Sequence, residues 1–267
     1  MNKISLPTKC PFDIRSFIFI VILLIPAAYL ILPYSLTISP TTLELLGLPL
    51  LLLVTLVNVA IYAVLAAIGL YLAGRIGLGL PFIEGWLKKE SIRDQFWGVL
   101  AISVSIGVVT ALIITALNGF VFGPPLQAEL ESSGVTIPES IQPPAWQGFL
   151  ASISAAISEE VIFRLFGVTL LAFFGGLLFH DSEGRPHPAV LWVSIIFIAV
   201  VFGLAHLPTV ALVGVPLTPL VITQAIVLNG VGGIAFGWLY WTRGLESAMI
   251  AHFSADIVLH VILVLLV

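Results

Sequence analysis

The sequence predicts an all-α fold: a polytopic integral membrane protein with seven or eight transmembrane helices. Three observations carry that expectation. Of the 267 residues 60% are hydrophobic and only 9% charged, with a mean hydropathy of +1.17, whereas an average soluble domain is about 45–50% apolar and about 25% charged. Apolar segments recur at the length of about 20 residues that a helix needs to cross about 30 Å of hydrocarbon. Basic residues gather in alternate connections between those segments, as in a chain threaded through a bilayer. The single cysteine, Cys10, permits no internal disulfide and no cysteine metal cluster. A formal charge of -4 with ten Lys and Arg also argues against nucleic acid as a partner, since phosphate binding needs clustered cations.

The segments run in order as follows. The first, 16–34, follows Lys3, Lys9 and Arg15, is broken by Pro26 and Pro33, and has no small-x-small cleavage site after it; it reads as a retained anchor rather than a cleaved signal peptide. The second, 45–73, exceeds one span, so it tilts or begins as an interfacial helix. Segment 95–119 comes next, followed by "FVFGPPLQAELESSGVTIPESIQPPAW", residues 120–146, with Glu129, Glu131 and Glu139 but no basic residue. Its prolines predict an extended external cap rather than another helix. Segment 147–179 is again long, and 189–206, 218–241 and 246–267 complete the set. The glycines of "NGVGGIAFG", residues 229–237, either split their segment in two or let helices approach closely. No internal repeat, low-complexity tract or soluble domain interrupts this single membrane domain, residues 1–267.

Orientation follows from the cations, which favour cytoplasmic connections. With the N-terminus cytoplasmic, alternation puts 74–94, 180–188 and 242–245 on the same side. Those stretches hold Arg75, Lys88, Lys89, Arg93, Arg185 and Arg243, and the N-terminal stretch adds Lys3, Lys9 and Arg15. The tenth basic residue, Arg164, lies inside an apolar segment.

Arg164 shares that segment, "ISAAISEEVIFRLFGVTLL", with Glu159 and Glu160. A charged side chain at the bilayer centre costs about 2.5–3.5 kcal/mol even on a lenient insertion scale, so such groups are paired or functional. Glu160 and Arg164 are four residues apart with the acid first, the favourable order for a helical ion pair. Glu159 stands about 100° around the helix from Glu160 and has no basic partner in its own helix, so it requires a partner elsewhere or a task. "FGLAH" ends one later segment in His206, and "AHFSADIVLH" sets His252 and Asp256 four apart, with His260 one turn on. Taken singly, each histidine reads equally well as a packing residue. Glu159, His206, His252 and Asp256 together, on three helices at membrane depth, predict one polar cavity. No serine or cysteine occupies a nucleophile motif; Ser158 is next to Glu159 but on another face. Any hydrolysis therefore points to water as the nucleophile.

"EEVIFR", "FGLAH" and "HFSAD" match, in order, the EExxxR, FxxxH and HxxxN/D motifs, and on them the chain resembles the CPBP (ABI) family of membrane proteases. That family includes the type II CAAX prenyl endopeptidases and the bacteriocin-processing or bacteriocin-immunity proteins. The resemblance covers about residues 145–267 as a catalytic core, and it implies an intramembrane endopeptidase acting on a membrane-associated peptide or protein, prenylated or plain. By the same resemblance Glu159 activates a water, His206 assists or orients it, His252 and Asp256 bind the developing oxyanion, and Glu160 with Arg164 is a structural pair. The last motif departs from the asparagine typical of CAAX-processing members. An aspartate donates a hydrogen bond only when protonated, so Asp256 is expected instead to hold His252 by a hydrogen bond. Other readings fit the same residues: a zinc site, since imidazole and carboxylate are ordinary zinc ligands; a proton- or ion-coupled transporter, though paired halves with matching broken helices are missing; or an idle scaffold. The favoured expectation is a cofactor-free protease.

Overall fold

A computed structural model of the chain describes residues 12–134 and 142–266, apart from the side chains of residues 93 and 94. Lys3, Lys9, Cys10 and Glu139, used above, lie outside the described residues. Eight helices succeed one another: α1 Ile14–Ile38, α2 Thr41–Ile76, α3 Pro81–Leu87, α4 Gln95–Ser132, α5 Ala145–Leu178, α6 Pro188–Leu212, α7 Pro219–Arg243 and α8 Leu245–Leu266. All except the short α3 are long and apolar enough to cross a membrane. The described residues contain no strand beyond one bridge between His180 and Pro186. The chain is an all-α, multi-pass integral membrane protein, with seven candidate spans among the described residues.

The long segments are resolved by local breaks. In α1 the helix stops at Leu30 and restarts at Leu32, just ahead of Pro33. In α2, Gly47 takes φ 67° and ψ 158° two residues before Pro49, a backbone open to glycine and strained for other residues. That kink sets off a short leading piece and accounts for the surplus length of the segment.

Two expectations are corrected. Residues 120–132 continue α4 through a π-helical turn, Asn118–Phe122, into the helix Gly123–Ser132. Pro124 and Pro125 sit in the first turn of that last piece, where proline is tolerated, so the prolines start a helical piece instead of excluding one. The glycines at 229–237 do not divide α7, which runs unbroken from Pro219 to Arg243. Gly233 and Gly237 lie along its seam with α6: a Cβ on Gly233 would stand 2.6 Å from Ala199 Cβ, and one on Gly237 would stand 2.7 Å from Ile195 Cγ2.

The fourth span, α5, packs against α1, α2, α6, α7 and α8. Its residues Val161, Leu165, Val168 and Ala172 are at most 1% exposed. Lipid tails are as apolar as leucine, so helices in a bilayer associate through close packing of small residues. Gly69 of α2 provides it here, since a Cβ there would come within 2.7 Å of the Leu165 carbonyl oxygen. At the other end of the core α3 is tied beneath the start of α8. Glu246 Oε1 accepts from the Phe82 and Ile83 amides at 3.0 and 2.9 Å, and the Leu245 amide donates to Gly79 O at 3.0 Å. Within α3 burial pushes the Glu84 carboxyl above the ordinary carboxylate range.

Candidate active site

Where the charges lie, α5 widens. Ala145–Glu159 is α-helical, Glu160–Val168 is π-helical, and the α-helix resumes at Thr169. Such turns are rare and recur at functional sites. Thr169 Oγ1 donates to Arg164 O, five residues back, at 3.4 Å, and meets the Tyr240 hydroxyl of α7 at 2.6 Å. The same widening follows Asp256 in α8, over Ile257–Ile262.

The ion pair expected from spacing is present. Arg164 Nη1 lies 3.2 Å from Glu160 Oε1, with both side chains at most 1% exposed. The guanidinium is bounded by aromatic faces, its Cζ lying 4.6 Å from the Phe202 ring centre and 5.6 Å from that of Phe236. A cation held over desolvated rings gains electrostatic stabilisation there, which matters because neither Nη atom meets a hydrogen-bond partner.

Glu160 has a second duty that spacing does not reveal. Its Oε1 lies 2.8 Å from His252 Nδ1, and an ionised carboxylate can only accept, so Nδ1 donates. His252 Nε2 is then directed between Asp256 Oδ2 at 3.6 Å and Glu159 Oε2 at 3.9 Å. The hydrogen bond expected from Asp256 is therefore made by Glu160 instead, because the ring's other nitrogen points across to α5 and the separation within α8 is too long. Among the three carboxylates Glu159 is the most open, its side chain 30% exposed against 14% for Asp256 and none for Glu160.

His206 follows the main helical stretch of α6. Its Nδ1 lies 2.8 Å from Phe202 O, so it donates to that carbonyl and leaves Nε2 an acceptor in the neutral ring. Phe202 links the parts: its ring meets His206 edge-on at 4.9 Å, reaches His252 at 6.1 Å, and underlies Arg164. Glu159 is within electrostatic reach of His206, His252, Asp256 and Arg164, so the four residues expected to converge occupy one neighbourhood. His260 instead packs edge-on against Tyr34 of α1.

Some contributors escape the sequence reading. Phe236 of α7 stacks on His252 at 4.9 Å with 20° between the rings, although its stretch, "NGVGGIAFG", draws notice only for glycine. The N-terminal helices contribute too, since Tyr62 of α2 is in electrostatic reach of Glu159 and Tyr34 of Asp256. A tyrosine in an apolar run carries no signal of such a position.

Among the described residues no group of three or more His, Cys, Asp or Glu side chains is arranged to hold a metal ion. Nδ1 of His252 is engaged by Glu160 and Nδ1 of His206 by the backbone, which leaves Nε2 as the nitrogen that each ring presents to the site.

No curated protein and no solved structure matches the chain. Residues 141–258, a little under half of the chain, match the family model described as type II CAAX prenyl endopeptidase Rce1-like. The matched stretch contains Glu159, Glu160, Arg164, His206, His252 and Asp256, the residues on which the CPBP resemblance rests. Over residues 141–258 the chain is thus similar to the Rce1-like type II CAAX prenyl endopeptidases.

Proposed function

We propose that this site hydrolyses a peptide bond of a membrane-associated peptide or protein, with water as nucleophile and Glu159 as its base. The observation that carries the reading is Glu159 itself: a carboxylate inside a span, partly open, facing His252 Nε2 and free of the ion pair that occupies its neighbour Glu160. In the reaction Glu159 takes a proton from water, and the oxygen adds to the scissile carbonyl carbon. Electrons of the C=O bond move onto oxygen, and the oxyanion accepts from His252 Nε2, which donates as imidazolium while Glu160 holds Nδ1. Collapse of the tetrahedral intermediate breaks the C–N bond, and Glu159 returns its proton to the leaving amine. His206 accepts from the attacking water through Nε2 and orients it. Preorganised donors of this kind supply most of the stabilisation in acyl transfer, and a positioned base adds about 10²- to 10⁴-fold.

The family description supports a prenylated peptide as the first substrate to try. Incubating the purified protein in detergent with farnesylated and unmodified peptides, and locating the cut by mass spectrometry, tests the reading. Absence of cleavage of both sets would count against it.

The mechanism needs no metal. Cleavage is expected to survive prolonged dialysis against a strong chelator, with elemental analysis finding no stoichiometric metal. Loss of activity restored by Zn²⁺ would replace Glu159 as the activator of water while keeping the reaction.

The N-terminus is proposed to be cytoplasmic, supported by the cations between α2 and α4 and their absence after α4. In a Cys10→Ser background, a cysteine at Ser133 is expected to react with an impermeant thiol reagent applied to intact cells, and one at Glu90 is not. Labelling of both from one side would invalidate the threading.

A further inference from the structure

Phe236 belongs to none of the three motifs, yet it is 2% exposed and lies flat on His252. Its own plane is fixed from three directions. Gly233 and Gly237 seat this part of α7 against α6, with no room for a Cβ at either position. Gly232, one turn earlier, leaves the ring its space, since a Cβ there would stand 3.2 Å from Phe236 Cε2. A cation also lies over the ring, with Arg164 Cζ 5.6 Å from its centre.

A histidine on a fixed helix keeps a broad, roughly two-fold freedom about χ2. Intermediate angles would drive the imidazole edge into Phe236, so a stack at 4.9 Å and 20° leaves only two flat orientations. The bond from Nδ1 to Glu160 at 2.8 Å selects between them, because the flipped ring would present Cδ2 to the carboxylate. We infer that Phe236 is a positioning residue: it sets the plane of His252 while Glu160 sets its sense, and together they aim Nε2 at the gap between Glu159 and Asp256. This role rests on the hydrolytic reading of the site. The ring face, with its negative quadrupole, also suits an imidazolium better than an aliphatic side chain does.

The test uses the purified full-length protein and a farnesylated peptide that the wild type cleaves. Phe236→Leu is expected to lower kcat by roughly ten- to a hundredfold, the scale of a small misplacement of a reacting group, with KM changed less than about twofold. Phe236→Tyr and Phe236→Trp, which keep an aromatic face, restore kcat to within about threefold of wild type. Phe236→Met, whose unbranched and flexible side chain adapts to the space of the ring, is measured alongside, so that a folding defect in the leucine variant does not decide the matter. It should share the loss of kcat at a wild-type unfolding midpoint. Normal kcat in Phe236→Met, or equal losses in the aromatic and aliphatic variants, overturns the role. Glu159→Gln serves as the control: if it cleaves normally, the assignment of Glu159 as base fails, whereas an inactive Glu159→Gln beside a normal Phe236→Met refutes the positioning role alone.

Discussion

Glu159→Gln is expected to abolish hydrolysis while leaving the folded protein almost unaltered. The amide occupies the same space, the side chain is 30% exposed, and His252, 3.9 Å away, keeps its shorter bond to Glu160. What disappears is the capacity to take a proton from water. General bases contribute about 10²- to 10⁴-fold, so turnover per folded molecule should fall by at least about a hundredfold, with the detergent-solubilised yield and unfolding temperature near those of the wild type. Near-normal turnover in this variant would remove Glu159 from the mechanism.

Its neighbour behaves in the opposite way. Glu160→Gln leaves Arg164, 1% exposed, without its countercharge, and breaking one side of a buried pair costs about 3–5 kcal/mol because the remaining charge is stranded. The expected result is a large loss of folded protein, read as yield and unfolding midpoint, with activity falling at least in step. The double variant Glu160→Gln, Arg164→Gln should recover much of that loss, since the two residues are directly coupled. It should still cleave poorly, because a neutral amide holds His252 Nδ1 less firmly than a carboxylate. A stable single variant would show that the aromatic faces of Phe202 and Phe236 suffice to hold the guanidinium.

Spans and charges were legible because both are one-dimensional. Hydropathy marks the length of a crossing helix, and a spacing of four marks the partnership of Glu160 with Arg164, which is present at 3.2 Å. The contact between Glu160 and His252 was not legible, because it joins residues 92 positions apart through the facing angle of two helices. Asp256, four from His252, was the nearer candidate in sequence and proved the more distant in space. Proline misled at 124 and 125, since the residue is a breaker inside a helix and a good starter at its first turn. The glycines at 233 and 237 were legible as close-packing positions, but the phenylalanine between them was hidden by being one of 17.

The π-helical stretch of α5 also sets how this chain can tolerate change in length. A π segment behaves as a one-residue insertion absorbed within an α-helix, so a single deletion inside Glu160–Val168 would let the helix relax to its commoner form. Hydropathy, span length and every motif residue outside the deletion would be nearly untouched. Because the wide turn absorbs its extra residue, the helix beyond it, Thr169 included, would keep its facing, and the change would fall on the side chains within the turn, which are displaced by about 100° for each residue of shift. Arg164 would lose its footing between two rings whenever the missing residue preceded it. In this part of the chain the number of residues is thus as much a determinant of the site as their identity.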